Sequence, residues 1–379
     1  MGAKNQKGEA AAYSRIVVKL GTNILTGGTP YLNLESMAGL VGQVAQLRRD
    51  GKQVVVVSSG AIAAGRQALG QVAERRDVPS RQVLASVGQS RLMHLYEEFF
   101  GFQGIIVAQA LLTKGDVLDR HGYLNARNTL LSLLDMGVVP IVNENDVVAV
   151  EEIKDEAFGD NDSLSAVVAN LVDADLLAIL TDIEGLYDAD PRVNPEARLV
   201  TRVEKVDKEV MSWAGGAGER GHGGMASKVE AARLAAASGV PTVVASGRGS
   251  GVLLRLARGE AMGTYFEPTA TRVESRKRWM LSALSRKGRL LVDAGAAKAL
   301  TRGNKSLLPA GVASVVGEFD RGEAVAIAED GGQDVACGIV NYSAEEIQRI
   351  KGCRSDQISD CLGYEYGEEI VHRNNLVVL

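Results

Sequence analysis

The sequence predicts an α/β fold: a mainly parallel sheet sandwiched by helices, followed by a small C-terminal β-rich domain. Three observations predict it. Residues 16–20, 53–57, 104–108, 138–142, 176–180 and 240–245 are short, β-branched, continuously apolar runs, which fit strands covered on both faces. Stretches of helical periodicity lie between them, among them 34–49, 80–100, 124–136 and 225–238, and that alternation implies parallel strands joined by crossovers. After residue 265 the texture changes to short alternating segments with frequent glycine, such as SLLPAGVASVVGEF and GEAVAIA.

At 379 residues the chain exceeds one ordinary domain. The change of texture places the division: an α/β catalytic domain over 1–270 and a β-rich domain over 275–379, with the boundary between about 265 and 278. A net charge of -5 and a pI near 5.6 argue against a chain built mainly to hold nucleic acid or an anionic membrane. The first fourteen residues lack the apolar core of a signal peptide, and no apolar run approaches the roughly 20 residues of a membrane span. A cytoplasmic location without a membrane partner is therefore expected. Cys337, Cys353 and Cys361 form no CxxC pair and read as reduced and structural; His94, His121, His222 and His372 lack metal-ligand spacing.

In such sheets ligands collect beyond the carboxyl ends of the strands. The first strand ends in Lys19-Leu20-Gly21-Thr22, where an ammonium group can aim at a phosphate, although a snorkelling surface lysine has the same pattern. The second runs into Ser58-Ser59-Gly60-Ala61, either a helix-opening anion site or a tight packing turn. After the fourth come Asn143-Glu144-Asn145-Asp146 and then Phe158-Gly159-Asp160-Asn161-Asp162. These acid-amide clusters can grip an amino group, order lysines or hold magnesium, and an acidic helix cap accounts for only one of them. The fifth is followed by the polar loop Thr181 to Pro191, of a kind that encloses a nucleotide. Farther on, Gly221-His222-Gly223-Gly224-Met225-Ala226-Ser227-Lys228 puts a lysine in the first turn of a helix, where the dipole disfavours it unless an anion lies near.

Other signatures are absent or out of context. Gly216 to Gly221 matches GxGxxG but follows no predicted strand and lacks a ribose-binding acid. There is no GxxxxGK[ST], HRD or DFG.

Taken in order, VVKLGT, VVVVSSGAIAAG, VPIVNEND, FGDND, LLAILTDIEGLYDADPR, GGMASK and GVPTVVASG resemble the amino-acid kinase family, most narrowly its glutamate 5-kinase branch, and the tail resembles a PUA domain. The resemblance implies ATP-dependent phosphorylation of the γ-carboxylate of L-glutamate, the first step of proline biosynthesis. It implies ATP as co-substrate with Mg2+, proline as a feedback inhibitor, a glutamyl phosphate reductase as functional partner, and a homo-oligomer. Residue by residue, Lys19, Thr181, Asp182 and the run His222, Gly223, Gly224, Met225, Ala226, Ser227, Lys228 match ATP-binding positions. Ser59, Gly60, Ala61, Asp146 and Asn161 match the glutamate site, and Asp162 matches an acid that organises the reacting groups. No metal ligand is assigned. The chain departs from the family at His222, and often at Ser227, where threonine is usual.

The chemistry follows from that substrate. A glutamate side chain ionises near pH 4.3, so its γ-carboxylate is already a nucleophile and needs no base. Positioning and relief of phosphoryl charge are what must be supplied. Lys19, Lys228 and Asp162 are therefore the expected catalytic residues, with Asp146 toward the substrate ammonium and Ser59 toward carboxylate oxygens. A related kinase acting on another small carboxylate is the alternative. An RNA-binding protein is a weaker one: residues 271–289 carry seven Lys/Arg against only Glu274, yet residues 275–379 hold 14 of each sign.

Overall fold

Strands buried on both faces need helices on both faces, and the first part of the chain supplies both. The structure, a computed structural model, describes residues 13–70, 77–149, 161–215, 224–271, 284–303, 305–329 and 331–379. Within it the chain divides into two units: Met1–Leu118 with Asn125–Thr271, and Asp119–Leu124 with Arg272–Leu379.

The first unit holds an eight-stranded sheet of β1 (Arg15–Leu20), β2 (Gln53–Ser58), β3 (Val107–Leu112), β4 (Val139–Glu144), β5 (Leu176–Thr181), β6 (Arg202–Val203), β7 (Thr242–Ser246) and β8 (Thr264–Phe266). Their order is β3-β4-β2-β1-β5-β7-β8-β6. All neighbours pair in parallel except β7 and β8. The helices are α1 (Thr22–Thr26), α2 (Leu34–Arg49), α3 (Ala61–Leu69), α4 (Val78–Gly101), α5 (Lys114–Leu118), α6 (Arg120–Asp135), α7 (Asn161–Leu171), α8 (Lys208–Trp213), α9 (Met225–Ala237) and α10 (Val252–Ala257). Local chemistry starts them: the side chains of Asn33 and Asp77 accept the amides of Ser36 and Ser80, satisfying donors that α2 and α4 leave open. The core runs from β1, β2 and β5 into α2 and α4, with Val17, Val18, Val55 and Leu177 fully enclosed.

Two elements differ from the sequence expectation. The apolar run 104–108 is not itself a strand, because Ile105 N–H closes the end of α4 on Phe100 and Ile106 is exposed. The strand begins at Val107 and pairs with β4 only from there. The short edge strands β8 and β6 were not foreseen; three and two residues long, they carry too little pattern to read.

One turn stands out in its backbone. Asp173 has φ 51°, alone among described non-glycine residues in that region. Its carboxylate meets the buried Arg127 guanidinium at 2.6 Å, and Arg127 also donates to Leu171 O, so the turn between α7 and β5 is held from α6.

The second unit contains the five-stranded sheet β10-β9-β11-β12-β13, formed by β9 (Leu284–Val292), β10 (Val312–Gly317), β11 (Ala324–Glu329), β12 (Asp334–Ile339) and β13 (Leu376–Val378). Its helices are α11 (Ala294–Gly303), α12 (Ala344–Ile350) and α13 (Ile358–Leu362). A capping box between Ser343 and Glu346 starts α12, whose Ile347 and Ile350 enter a core with Leu290, Val325 and Ile327. None of the three cysteines is in a disulfide, and the Cys353 and Cys361 sulfurs lie 4.0 Å apart. Among the described residues no helix is long and apolar enough to cross a membrane.

Candidate active site

Strand order decides who can meet. The sequence β4-β2-β1-β5-β7 lays Asn143 and Ser59 on one side of β1 and Thr181 on the other, with Lys19 of β1 between them. Residues as far apart in sequence as Lys19 and Thr181 thus share one sheet edge.

At its centre is an ionic cluster. Asp162, in the first turn of α7, is fully buried, and its two oxygens take Lys19 Nζ at 2.6 Å and Lys228 Nζ at 3.0 Å. Ser227 Oγ donates to Asp162 Oδ2 at 2.8 Å as well. Both lysines are buried. Burial opposes the charge on Asp162, but the Lys19 and Lys228 ammonium groups outweigh it and hold the carboxyl below the usual carboxylate range. Two cations meeting at one carboxylate are disposed to receive an anion.

The β2–β4 side is a network of amides and hydroxyls. Gly60 opens α3 at φ 102°, a left-handed conformation that only glycine adopts freely, and Ala61 begins the helix, buried. Asn161 Nδ2 donates to Ser59 Oγ at 3.2 Å and to Asn143 Oδ1 at 3.1 Å. Ser58 Oγ donates to Ser59 O, so its single proton is used and the buried Tyr96 hydroxyl donates to it at 2.8 Å. Asp146 follows β4; burial raises its carboxyl to about 6, against an opposing pull from Arg81.

The β5–β7 side is more open. Thr181 ends β5, buried, and its hydroxyl donates to Asp182 at 3.2 Å. Asp182 Oδ2 also accepts from Asn23 at 3.1 Å and has Arg248 at 3.8 Å. Gly224 precedes α9 with Met225, Ala226, Ser227 and Lys228 in its first turn. The expected positions His222 and Gly223, like Phe158, Gly159 and Asp160, lie outside the described residues.

Lys19, Asp162 and Lys228 thus form one ionic cluster and Ser59, Asn143 and Asn161 one hydrogen-bonded network, and the two meet at the successive residues Asn161 and Asp162, whereas Asp182 is held by Asn23 and Thr181. Sequence reading singled out neither Tyr96 nor Gln89, which meet Ser58 and Asn143 from α4. A polar side chain inside the apolar stripe of α4 was the available signal. Among the described residues no group of three His, Cys, Asp or Glu side chains could hold a metal.

A buried ionic cluster therefore sits at the carboxyl edge of a mainly parallel sheet. The amino acid kinase family model matches residues 14–246 and a PUA domain model matches residues 288–362. The chain belongs to the amino acid kinase family. More narrowly, it is 52% identical over 368 residues to the glutamate 5-kinase of Dehalococcoides mccartyi, covering 97% of this chain and 99% of that one. The glutamate 5-kinase of Herpetosiphon aurantiacus is 53% identical over 366 residues, 96% of this chain and 98% of that one. That of Geobacter sulfurreducens is 49% identical over 375 residues, 99% and 100%.

Proposed function

We propose that the chain transfers the γ-phosphoryl group of ATP to the γ-carboxylate of L-glutamate, giving L-glutamyl 5-phosphate and ADP in the first step of proline biosynthesis. A carboxylate oxygen forms the new O–P bond as the bond from γ-phosphorus to the bridging oxygen breaks and ADP leaves with that oxygen. The single observation that carries the reading is Asp162 gripping both Lys19 and Lys228 beside the Ser59–Asn161 pair. The relatives, all glutamate 5-kinases at about half identity over nearly the full chain, point the same way.

In this reading glutamate lies on the β2–β4 side. Ser59 with the amides of Gly60 and Ala61 receives carboxylate oxygens, and Asp146 and Asn161 receive the ammonium. ATP lies over β5 and the start of α9, along Thr181, Asp182 and residues 222–228. The in-line axis then crosses Lys19, where charge on the transferring group is relieved. Asp162 keeps both ammonium groups placed before the substrates arrive. Among the described residues the side chains compose no metal site of their own, and Asp162 is committed to lysines; magnesium would enter with the triphosphate and supply charge neutralisation there.

Residues 1–270 serve as the catalytic domain and 275–379 as an appended PUA module. Proline, with the α-carboxylate and a cationic nitrogen but no nucleophile, would compete for the glutamate pocket. The labile acyl phosphate requires a reductase that consumes it. A cytoplasmic homo-oligomer completes the picture.

Trapping acyl phosphate as hydroxamate with ATP and glutamate, aspartate, acetylglutamate or carbamate tests the assignment. Glutamate should give the highest kcat/KM. Preference for acetylglutamate, whose nitrogen carries no charge for Asp146, would overturn it.

A further inference from the structure

Behind the β2–β4 side lies α4, and three of its side chains reach toward the site at intervals of seven residues. Gln82 Nε2 donates to Val147 O at 3.1 Å, Gln89 Oε1 accepts from Asn143 Nδ2 at 2.8 Å, and Tyr96 meets Ser58. Seven residues are nearly two turns, so the three lie along one helix face. The helix is pressed close: a Cβ on Gly88 would sit 1.7 Å from Ala61 O, in the first turn of α3. The residue next to Gly88 is therefore held at a fixed depth.

The geometry points to Gln89 as a positioning residue that, through Asn143, sets which end of the Asn161 amide faces the glutamate nitrogen. This rests on the proposed glutamate kinase activity. A primary amide has a donor end and an acceptor end of nearly the same shape, and its neighbours decide which end points where. Asn143 is buried, so side chains and not solvent make that choice. Its Nδ2 is engaged by Gln89, which leaves Oδ1 to accept from Asn161 Nδ2. Asn161 must then turn its own oxygen away from both Asn143 and Ser59. That oxygen is buried and, among the described residues, finds no donor.

An unmatched buried acceptor is costly, and a ligand with an N–H donor removes the cost. Turning Asn143 over would set two NH2 groups against each other unless Asn161 turned too. Asn161 would then offer a donor where a cationic substrate needs an acceptor. Gln89 thus gives the relay its direction without touching substrate.

The test is steady-state kinetics on the full chain with Gln89→Met, which keeps a straight side chain of similar length but no acceptor, and Gln89→Glu, which keeps only acceptors. Gln89→Leu serves as a second apolar variant if Gln89→Met does not fold. The apolar variant should raise the KM for glutamate about fivefold to tenfold, the size of one lost hydrogen bond, with kcat and the KM for ATP changed little. The preference for glutamate over glutarate, the same diacid without an amino group, should narrow, and Gln89→Glu should recover most of the loss. An unchanged glutamate KM, equal falls in every parameter, or a Gln89→Glu variant as impaired as the apolar one each overturns the inference. A parent chain that forms no glutamate-dependent hydroxamate refutes the activity itself, a separate outcome.

Discussion

The two sides of the candidate site are built on opposite electrostatic plans. Around Lys19, Asp162 and Lys228 opposite charges are buried together at 2.6 and 3.0 Å, and the cluster is assembled before any ligand arrives. Around Ser59, Asn143 and Asn161 the groups are neutral, joined at 3.1 and 3.2 Å, and the network ends in an Asn161 oxygen that finds no donor among the described residues. Charge that must act in a transition state has to be held in advance, because reorganising it then would cost what it supplies. Groups that only recognise a substrate can wait for it to complete their bonding. In the proposed reading Asp146 belongs to the second kind, a carboxyl raised by burial, whereas Asp162 is lowered by its partners.

The largest effect should come from breaking the ionic cluster itself. Asp162→Ala leaves two buried ammonium groups facing each other, and a loss of about 3–5 kcal/mol of stability is the usual scale for such a change. Chemical unfolding of the full chain measures it. A midpoint equal to the parent's would mean that the cluster relaxes freely and is not held as the distances suggest.

Next come the lysines. Lys19→Ala and Lys228→Ala should each lower kcat by roughly 10²–10³-fold with a much smaller rise in the KM for glutamate. If instead KM moved and kcat did not, the two plans would be misassigned.

The smallest effect, and the one that sharpens the contrast most, is in pH. Asp146, with its carboxyl near 6, should lose charge as pH falls from 7 to 5, so that the glutamate KM rises about tenfold over that span. Asp162, held below the usual range, stays ionised, and kcat at saturating glutamate should remain flat. In Asp146→Ala the KM should start high and lose its pH dependence. A kcat that collapsed alongside KM would show that the two sides titrate together.

Much of this was legible in the chain alone. Continuous apolar runs gave five of the six long strands within a residue or two, because a strand buried on both faces has no alternation to hide it. The edge strand β3, half-exposed, was placed three residues early. Of the ionic cluster only Lys228 stood out by its local chemistry, as a cation in the first turn of a helix, while Lys19 and Asp162 were open to other readings. The family resemblance supplied their grouping.

What the sequence determined by itself was the parallel α/β framework, the change of texture near residue 265 and the set of reactive side chains, since those follow from local pattern and residue chemistry. Only the tertiary structure decided that β1 stands between β2 and β5, that one carboxylate serves two lysines 66 residues or more away, and that α4 reaches Ser58 and Asn143 from behind. Strand order and amide direction are properties of pairs distant in sequence. A hydrogen bond between Gln89 and Asn143 spans 54 positions and leaves no mark on the residues between them. It exists because Gly88 lets one helix close on another.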